Sequence, residues 1–280
     1  MKSFAIAAGA LALGLAAPVA AQDQGADEES VYDGDYLAVG IGVAYAPSYD
    51  GSDDYVVYPV PLVQASFRGI EIDPRTSGLA LDFVPDGDGR VGFDLGIAGR
   101  LRQNRARGIK DPVVKRLGEL DTAIEVGPTA GVSLRRVLNP YDSLSIGADV
   151  RWDVAGAHGG MTADPRITYF TPLSRGAAAS LTLSADYGDG DFADYYYSIT
   201  PAGAAVSGLP AFDADGGFTK AGASLLFGID LNGNLEDGGF ALVLAGGYQR
   251  MLGDAKRSPV TSIRGSADQW LGAIGIGYTF

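Results

Sequence analysis

A chain of 280 residues with 41 glycines, 14 tyrosines and no cysteine has the length of one large β domain or two small ones, and disulfide and thiolate chemistry are excluded. Its net charge of -13 argues against nucleic acid as a partner, because a phosphate backbone selects cationic surfaces. Glycine and tyrosine used together at this level point to strands that bend, not to helices or disordered tails.

In chain order, Lys2, the apolar run from Ala5 to Ala17 and the small residues Pro18 to Ala21 read as a secretory signal peptide over 1–21. No later segment reaches the roughly 18 continuous apolar residues of a membrane helix, so a membrane location requires a barrel. Residues 22–35, with Asp23, Asp27, Glu28, Glu29, Asp33 and Asp35, read as a flexible acidic periplasmic lead-in.

From Tyr36 a period of two begins. Leu37, Val39, Ile41, Val43 and Tyr45 oppose Ala38, Gly40, Gly42 and Ala44. The same division recurs from Arg90, from Asp142, from Ala177 and from Phe218. Alternation alone also fits a soluble lipocalin-like barrel with its apolar face inside. Two details favour apolar-out: the other face is Gly, Ala and Ser instead of Lys and Glu, and its charges are of both signs, as across a polar lumen. Asp94, Arg100, Asp149, Arg151, Asp153 and Asp186 are the candidate lumen-lining residues.

Strands are predicted near 36–46, 55–67, 70–74, 77–84, 90–102, 119–134, 142–154, 165–173, 177–187, 218–231, 239–252 and 266–280. The fold class is all-β: a transmembrane antiparallel up-and-down barrel of about twelve strands spanning 36–280. Ten is the alternative, because the strands around 70–84 are brief and Pro74 and Pro85 interrupt them. With a periplasmic start, connections alternate between short inner turns and longer outer loops. The last predicted strand ends on Tyr278 and Phe280, which suits a closing strand with an aromatic girdle.

Chemistry is sparse. His158 has no second His or any Cys beside it, so no catalytic residue is assigned. The acidic groups Asp50/Asp53/Asp54, Asp189/Asp191/Asp194 and Asp230 to Glu236 fall at turns, where these residues serve the backbone. Leu235 stands where a calcium loop needs glycine. No metal or cofactor is assigned. Arg100, Arg102, Arg105, Arg107, Lys110, Lys115 and Arg116 concentrate 7 of the 21 cations in 17 residues, and all but Arg100 are candidates for contact with lipopolysaccharide phosphates.

Three separated motifs then stand out. The first hairpin carries Tyr45, Pro47, Tyr49, Gly51, Ser52, Asp53, Asp54 and Tyr55; a later segment carries Ser207, Gly208, Leu209 and Pro210; the tail carries Ser258 and Pro259. In this order, from about Tyr36 to Phe280, they resemble the family of the MltA-interacting protein, MipA/OmpV. The resemblance implies an outer-membrane barrel of Gram-negative bacteria without enzymatic activity. It also implies a scaffold role that joins a murein lytic transglycosylase to a bifunctional penicillin-binding protein. A small pore for polar solutes is the alternative.

Overall fold

The computed structural model describes residues 30–85 and 89–280. The signal peptide expected over 1–21 and residues 22–29 of the lead-in lie outside the described residues. Twelve strands form one closed antiparallel barrel in sequence order, with the last strand paired to the first. They are β1 (Tyr36–Pro47), β2 (Tyr55–Phe67), β3 (Ile70–Arg75), β4 (Gly78–Asp82), β5 (Val91–Arg102), β6 (Ala123–Arg135), β7 (Ser143–Asp153), β8 (Met161–Ser174), β9 (Ala177–Gly188), β10 (Gly217–Asp230), β11 (Gly239–Met251) and β12 (Asp268–Thr279). The brief β3 and β4 are both in the ladder, so the count is twelve and not ten.

The apolar residues face outward. Ile41, Phe93 and Trp270 are each more than 60 % exposed, whereas the residues between them on the strands are small or turned inside. At the inner rim Phe240, Tyr278 and Phe280 stack edge to face with ring centroids 4.6–4.8 Å apart. At the outer rim Tyr45 stacks on Tyr55 at 5.1 Å and Tyr248 meets Trp270 at 4.8 Å. Two aromatic belts thus bound the apolar band, as lipid interfaces require. Closure places Val43 opposite Ile274 and Ile41 opposite Ile276, so the two apolar faces continue across the join.

The ring is unevenly stitched. β1 pairs with β2 continuously from Tyr36–Ser66 to Pro47–Tyr55, but β2 pairs with β3 only at Ala65–Ile72, Ser66–Glu71 and Phe67–Ile70. Above Ala65 the edge of β2 that faces β3 has no ladder. Pro59 and Pro61, two residues apart, present the same strand edge. The β1 edge is fully paired, which leaves the β3 edge for their missing donors, where an N–H would have no partner in lipid.

Two boundaries differ from expectation. β6 starts at Ala123 instead of 119, because Leu120 and Asp121 donate their amides to Arg105 O and Tyr195 Oη in the outer loops. β8 starts at Met161 instead of 165, extending its pairing along β7 to Trp152. The expected free lead-in also ends early. Residues 30–35 are ordered: Ser30 and Asp33 form a reciprocal capping box on a 3-10 turn, and Val31 donates to Glu236 O at 2.8 Å.

Candidate functional site

The lumen is crossed by a continuous ion-pair network. Glu125 of β6, fully buried, accepts from Arg102 Nε at 2.5 Å and Arg102 Nη2 at 3.4 Å, and from Thr162 Oγ1 at 3.2 Å. Arg151 Nε stands 3.6 Å away on its other side. Arg151 also pairs with Asp149 at 2.9 Å and with Asp164. Asp149 holds Arg166 at 2.7 Å, Thr129 at 2.7 Å and Arg75 at 3.5 Å. Arg100 reaches Asp164 at 3.1 Å, and Lys220 joins Asp186 at 3.3 Å to Asp50 at 3.0 Å. Buried charges persist when each faces a counter-charge, and every member of this set does so across β3 and β5 to β10, although Arg75 Nε, Arg100 Nε, Arg151 Nε and Asp164 Oδ1 lack a hydrogen bond.

Of the expected lumen residues, Arg100, Asp149, Arg151 and Asp186 enter the network. Asp94 lies on the inward face beside Gly131. Asp153 shares the face of Asp149 but spends its carboxylate on the amides of Ala155, His158 and Gly159 at 2.8–3.1 Å, so it caps an outer turn. Arg102 is corrected from loop to lumen, because it stands two residues beyond Arg100 on the same face. His158 belongs to the network too. Its Nδ1 accepts from Gly160 N at 3.0 Å, which leaves the proton on Nε2 to face Glu125 at 3.3 Å.

A folded cap covers the outer end. It is built from residues 48–54, 103–122, 154–160, 189–216 and 252–267, and includes the helices α1 (Gly190–Tyr197), α2 (Pro201–Ser207), α3 (Gly253–Arg257) and α4 (Pro259–Ser262). Asp189 starts α1 by accepting from Phe192 N at 3.0 Å and ties it to β8 by accepting from Met161 N at 2.7 Å. Thr200 and Pro201 start α2, and Gly208, with φ +79°, ends it. Phe192, Tyr196, Tyr197, Met251 and Ala255 make one buried cluster. Gly188 permits this packing, since a Cβ there would lie 2.1 Å from the Phe192 ring.

The three motifs converge in the second cluster of the cap. Tyr49, Leu209 and Val260 pack with Ile109, Val114 and Ile199. Ser258 Oγ donates to Tyr197 O at 2.6 Å, and Pro259 begins α4. Ser52, fully buried, bonds Ser48 Oγ at 3.0 Å, and Gln269 clamps Gly51 N and Ser52 O at 3.1 Å each. Gly51 has φ +92° and lies against Thr261. Ser207 Oγ accepts from Leu209 N at 3.2 Å, turning that leucine inward, while Asp53 and Pro210 stay exposed. Tyr49, Gly51, Ser52, Ser207, Leu209, Ser258 and Pro259 are therefore struts of the cap.

Within the basic loop Arg105 is corrected as well: it is 3 % exposed and donates from Nη1 to Tyr196 O at 3.0 Å. Arg107, Lys110, Lys115 and Arg116 are exposed. Asp111 accepts from Val113 N and Val114 N at 2.8 Å each and from Arg264 Nη2 at 2.6 Å. Burial alone would push its carboxyl up, but Arg264 and the two amides outweigh this and hold it below the usual carboxylate range. A depressed native value makes the stabilisation complete above the unfolded value near about 4 and lost as pH falls through the native one. Hydrogen exchange at the Val113 and Val114 amides, corrected for intrinsic rate, is therefore expected to accelerate between about pH 6 and about pH 3. Asp111→Asn is expected to be fast already at the upper end.

On the inner side the turns are short and braced. Asp142 accepts from Val137, Leu138 and Asn139 amides at 2.7–3.1 Å and from Tyr169 Oη at 2.7 Å, which leaves Leu138 projecting, 78 % exposed. Asp230 accepts from the amides of Asn232, Gly233 and Asn234 at 2.7–3.1 Å, a backbone duty. Among the described residues no group of three His, Cys, Asp or Glu is placed to hold a metal ion.

A closed antiparallel ring with an apolar outer band, two aromatic belts and a charged interior is an outer-membrane β-barrel. Among the described residues no helix is long and apolar enough to cross a membrane. The chain belongs to the family of the MltA-interacting protein MipA, whose family model matches residues 39–280. None of the curated protein sequences matches it. Among solved structures, it is similar to the COG4313 outer membrane channel from Pseudomonas putida F1, with 14 % identity, 92 % of this chain and 100 % of that chain covered, and a TM-score of 0.44. It is also similar to OmpT of Vibrio cholerae, with 7 % identity, 88 % and 97 % covered, and a TM-score of 0.34.

Proposed function

We propose that this protein is a non-enzymatic outer-membrane scaffold for periplasmic murein enzymes, a lytic transglycosylase and a bifunctional penicillin-binding protein. The observation that carries this reading is membership, over residues 39–280, of the family described by its interaction with MltA. The charge-filled lumen and the folded cap support a scaffold over the alternative of a pore for polar solutes. Residues 1–21 are then the export signal, cleaved near Ala21, and 22–35 lead into the barrel on the periplasmic side. Arg107, Lys110, Lys115 and Arg116 face lipopolysaccharide phosphates in the outer leaflet.

The docking knob in this reading is Leu138. It is a large apolar side chain held out by a turn whose amides Asp142 fixes, so little order is lost on binding. Leu138→Asp is expected to weaken capture of purified lytic transglycosylase by the detergent-refolded barrel by about tenfold or more, a typical anchor-residue effect, with the heat-modifiable gel band unchanged. Capture that is absent from the wild-type protein, together with steady ion-selective conductance in planar bilayers, would put the pore reading in its place.

A further inference from the structure

Beneath the cap lies a cavity of about 390 Å³, within the range of small-molecule sites. Its walls differ. One is aliphatic, with Ala44, Leu226, Ala245 and Leu271. The other is the charged wall, and in all seven cationic and four acidic side chains line the cavity, an excess of three positive charges in a chain of net charge -13. Arg100, with a side chain 9 % exposed, lines it while pairing with Asp164 at 3.1 Å. Exposed Arg107 and Thr76 are also part of the lining, so the cavity reaches the outer surface between the β3–β4 tip and the basic loop.

We propose that this cavity binds a small anionic amphiphile, a carboxylate or phosphate monoester on a short apolar body. The anion pairs with Arg100 and Arg107, and the apolar body lies on Leu226 and Leu271. A planar guanidinium suits an oxyanion, and a lining of seven cations against four carboxylates favours an anionic occupant. The aliphatic patch of Ala44, Leu226, Ala245 and Leu271 takes an apolar body out of water, a gain that inorganic phosphate lacks.

Hexanoate and hexyl phosphate, with hexanol and inorganic phosphate as controls, test this by isothermal titration of the full barrel in a non-ionic detergent. One of the two hexyl anions is expected to bind at least tenfold more tightly than either control, and which one binds identifies the headgroup. Arg107→Gln, at an exposed position that leaves folding intact, is expected to weaken that binding about tenfold, the loss of one charge-assisted hydrogen bond. Arg100→Gln is expected to weaken it at least as much. Equal affinity for hexyl phosphate and inorganic phosphate would overturn the proposal. So would an undiminished affinity in Arg107→Gln, or no binding of either hexyl anion at millimolar concentration.

Discussion

Glu125→Gln is expected to lower barrel stability by about 3–5 kcal/mol, the cost of leaving a buried charge without its counter-charge. Glu125 is fully buried and faces Arg102, Arg151 and the His158 ring. The amide keeps the shape and removes the close counter-charge of Arg102, whose next carboxylate, Asp50, stands 4.0 Å away, while Arg151 keeps Asp149 and Asp164. Neither arginine can give up its proton, and both lie deep in the lumen, 4 % and 2 % exposed at the side chain. The measurement is the urea midpoint of the heat-modifiable gel band. The double variant Glu125→Leu with Arg102→Met removes both charges and is expected to recover part of the loss, since a buried pair is often replaceable by apolar side chains of similar size. A single variant within about 1 kcal/mol of wild type would mean that water screens this pair.

Phe192→Ala is expected to act on the cap and spare the barrel. The ring is 2 % exposed, lies 4.8 Å from Tyr196 and 5.2 Å from His158, and carries the Arg102 guanidinium over its face at 4.7 Å. Deleting a buried phenylalanine costs about 3–5 kcal/mol where the surroundings cannot collapse. Here the loss falls on a loop layer that rests on strand side chains but supplies none of the ladder's pairing. Limited proteolysis is expected to cut within 189–216 in the variant and not in the wild type, while the gel mobility of the folded band is unchanged. A lowered urea midpoint equal to that of Glu125→Gln would instead show that cap and barrel unfold as one unit.

The barrel was legible because a strand with lipid on one side must alternate, and Leu37 to Tyr45 or Val91 to Ile97 do so without interruption. The lumen was legible only where that phase holds. Lys220 is not legible as a lumen residue because the ladder shifts between Phe218 and Lys220, so two even-numbered neighbours face opposite ways. In the sequence Arg102 and Arg105 share one basic stretch with Arg107 and Lys110, which suggests a single loop facing lipopolysaccharide, although the first ends a strand and the second bonds a carbonyl 91 residues away. His158 looked isolated because Glu125 is distant in sequence. The cap was illegible for the same reason: Tyr49, Leu209 and Val260 are polar-loop neighbours in the chain and core neighbours only in space. What the three motifs did signal was that separate loops carry a shared constraint.

The interrupted ladder between β2 and β3 makes the ring mechanically unequal. Elsewhere, parting two strands means breaking a row of backbone hydrogen bonds, but above Ala65 this seam has none. What bridges it at the outer end is the cap, through Asp50 N on Asn104 Oδ1 at 2.9 Å and Tyr49 packed on Ile109 and Val114, so the folded loops act there as the clasp of the ring.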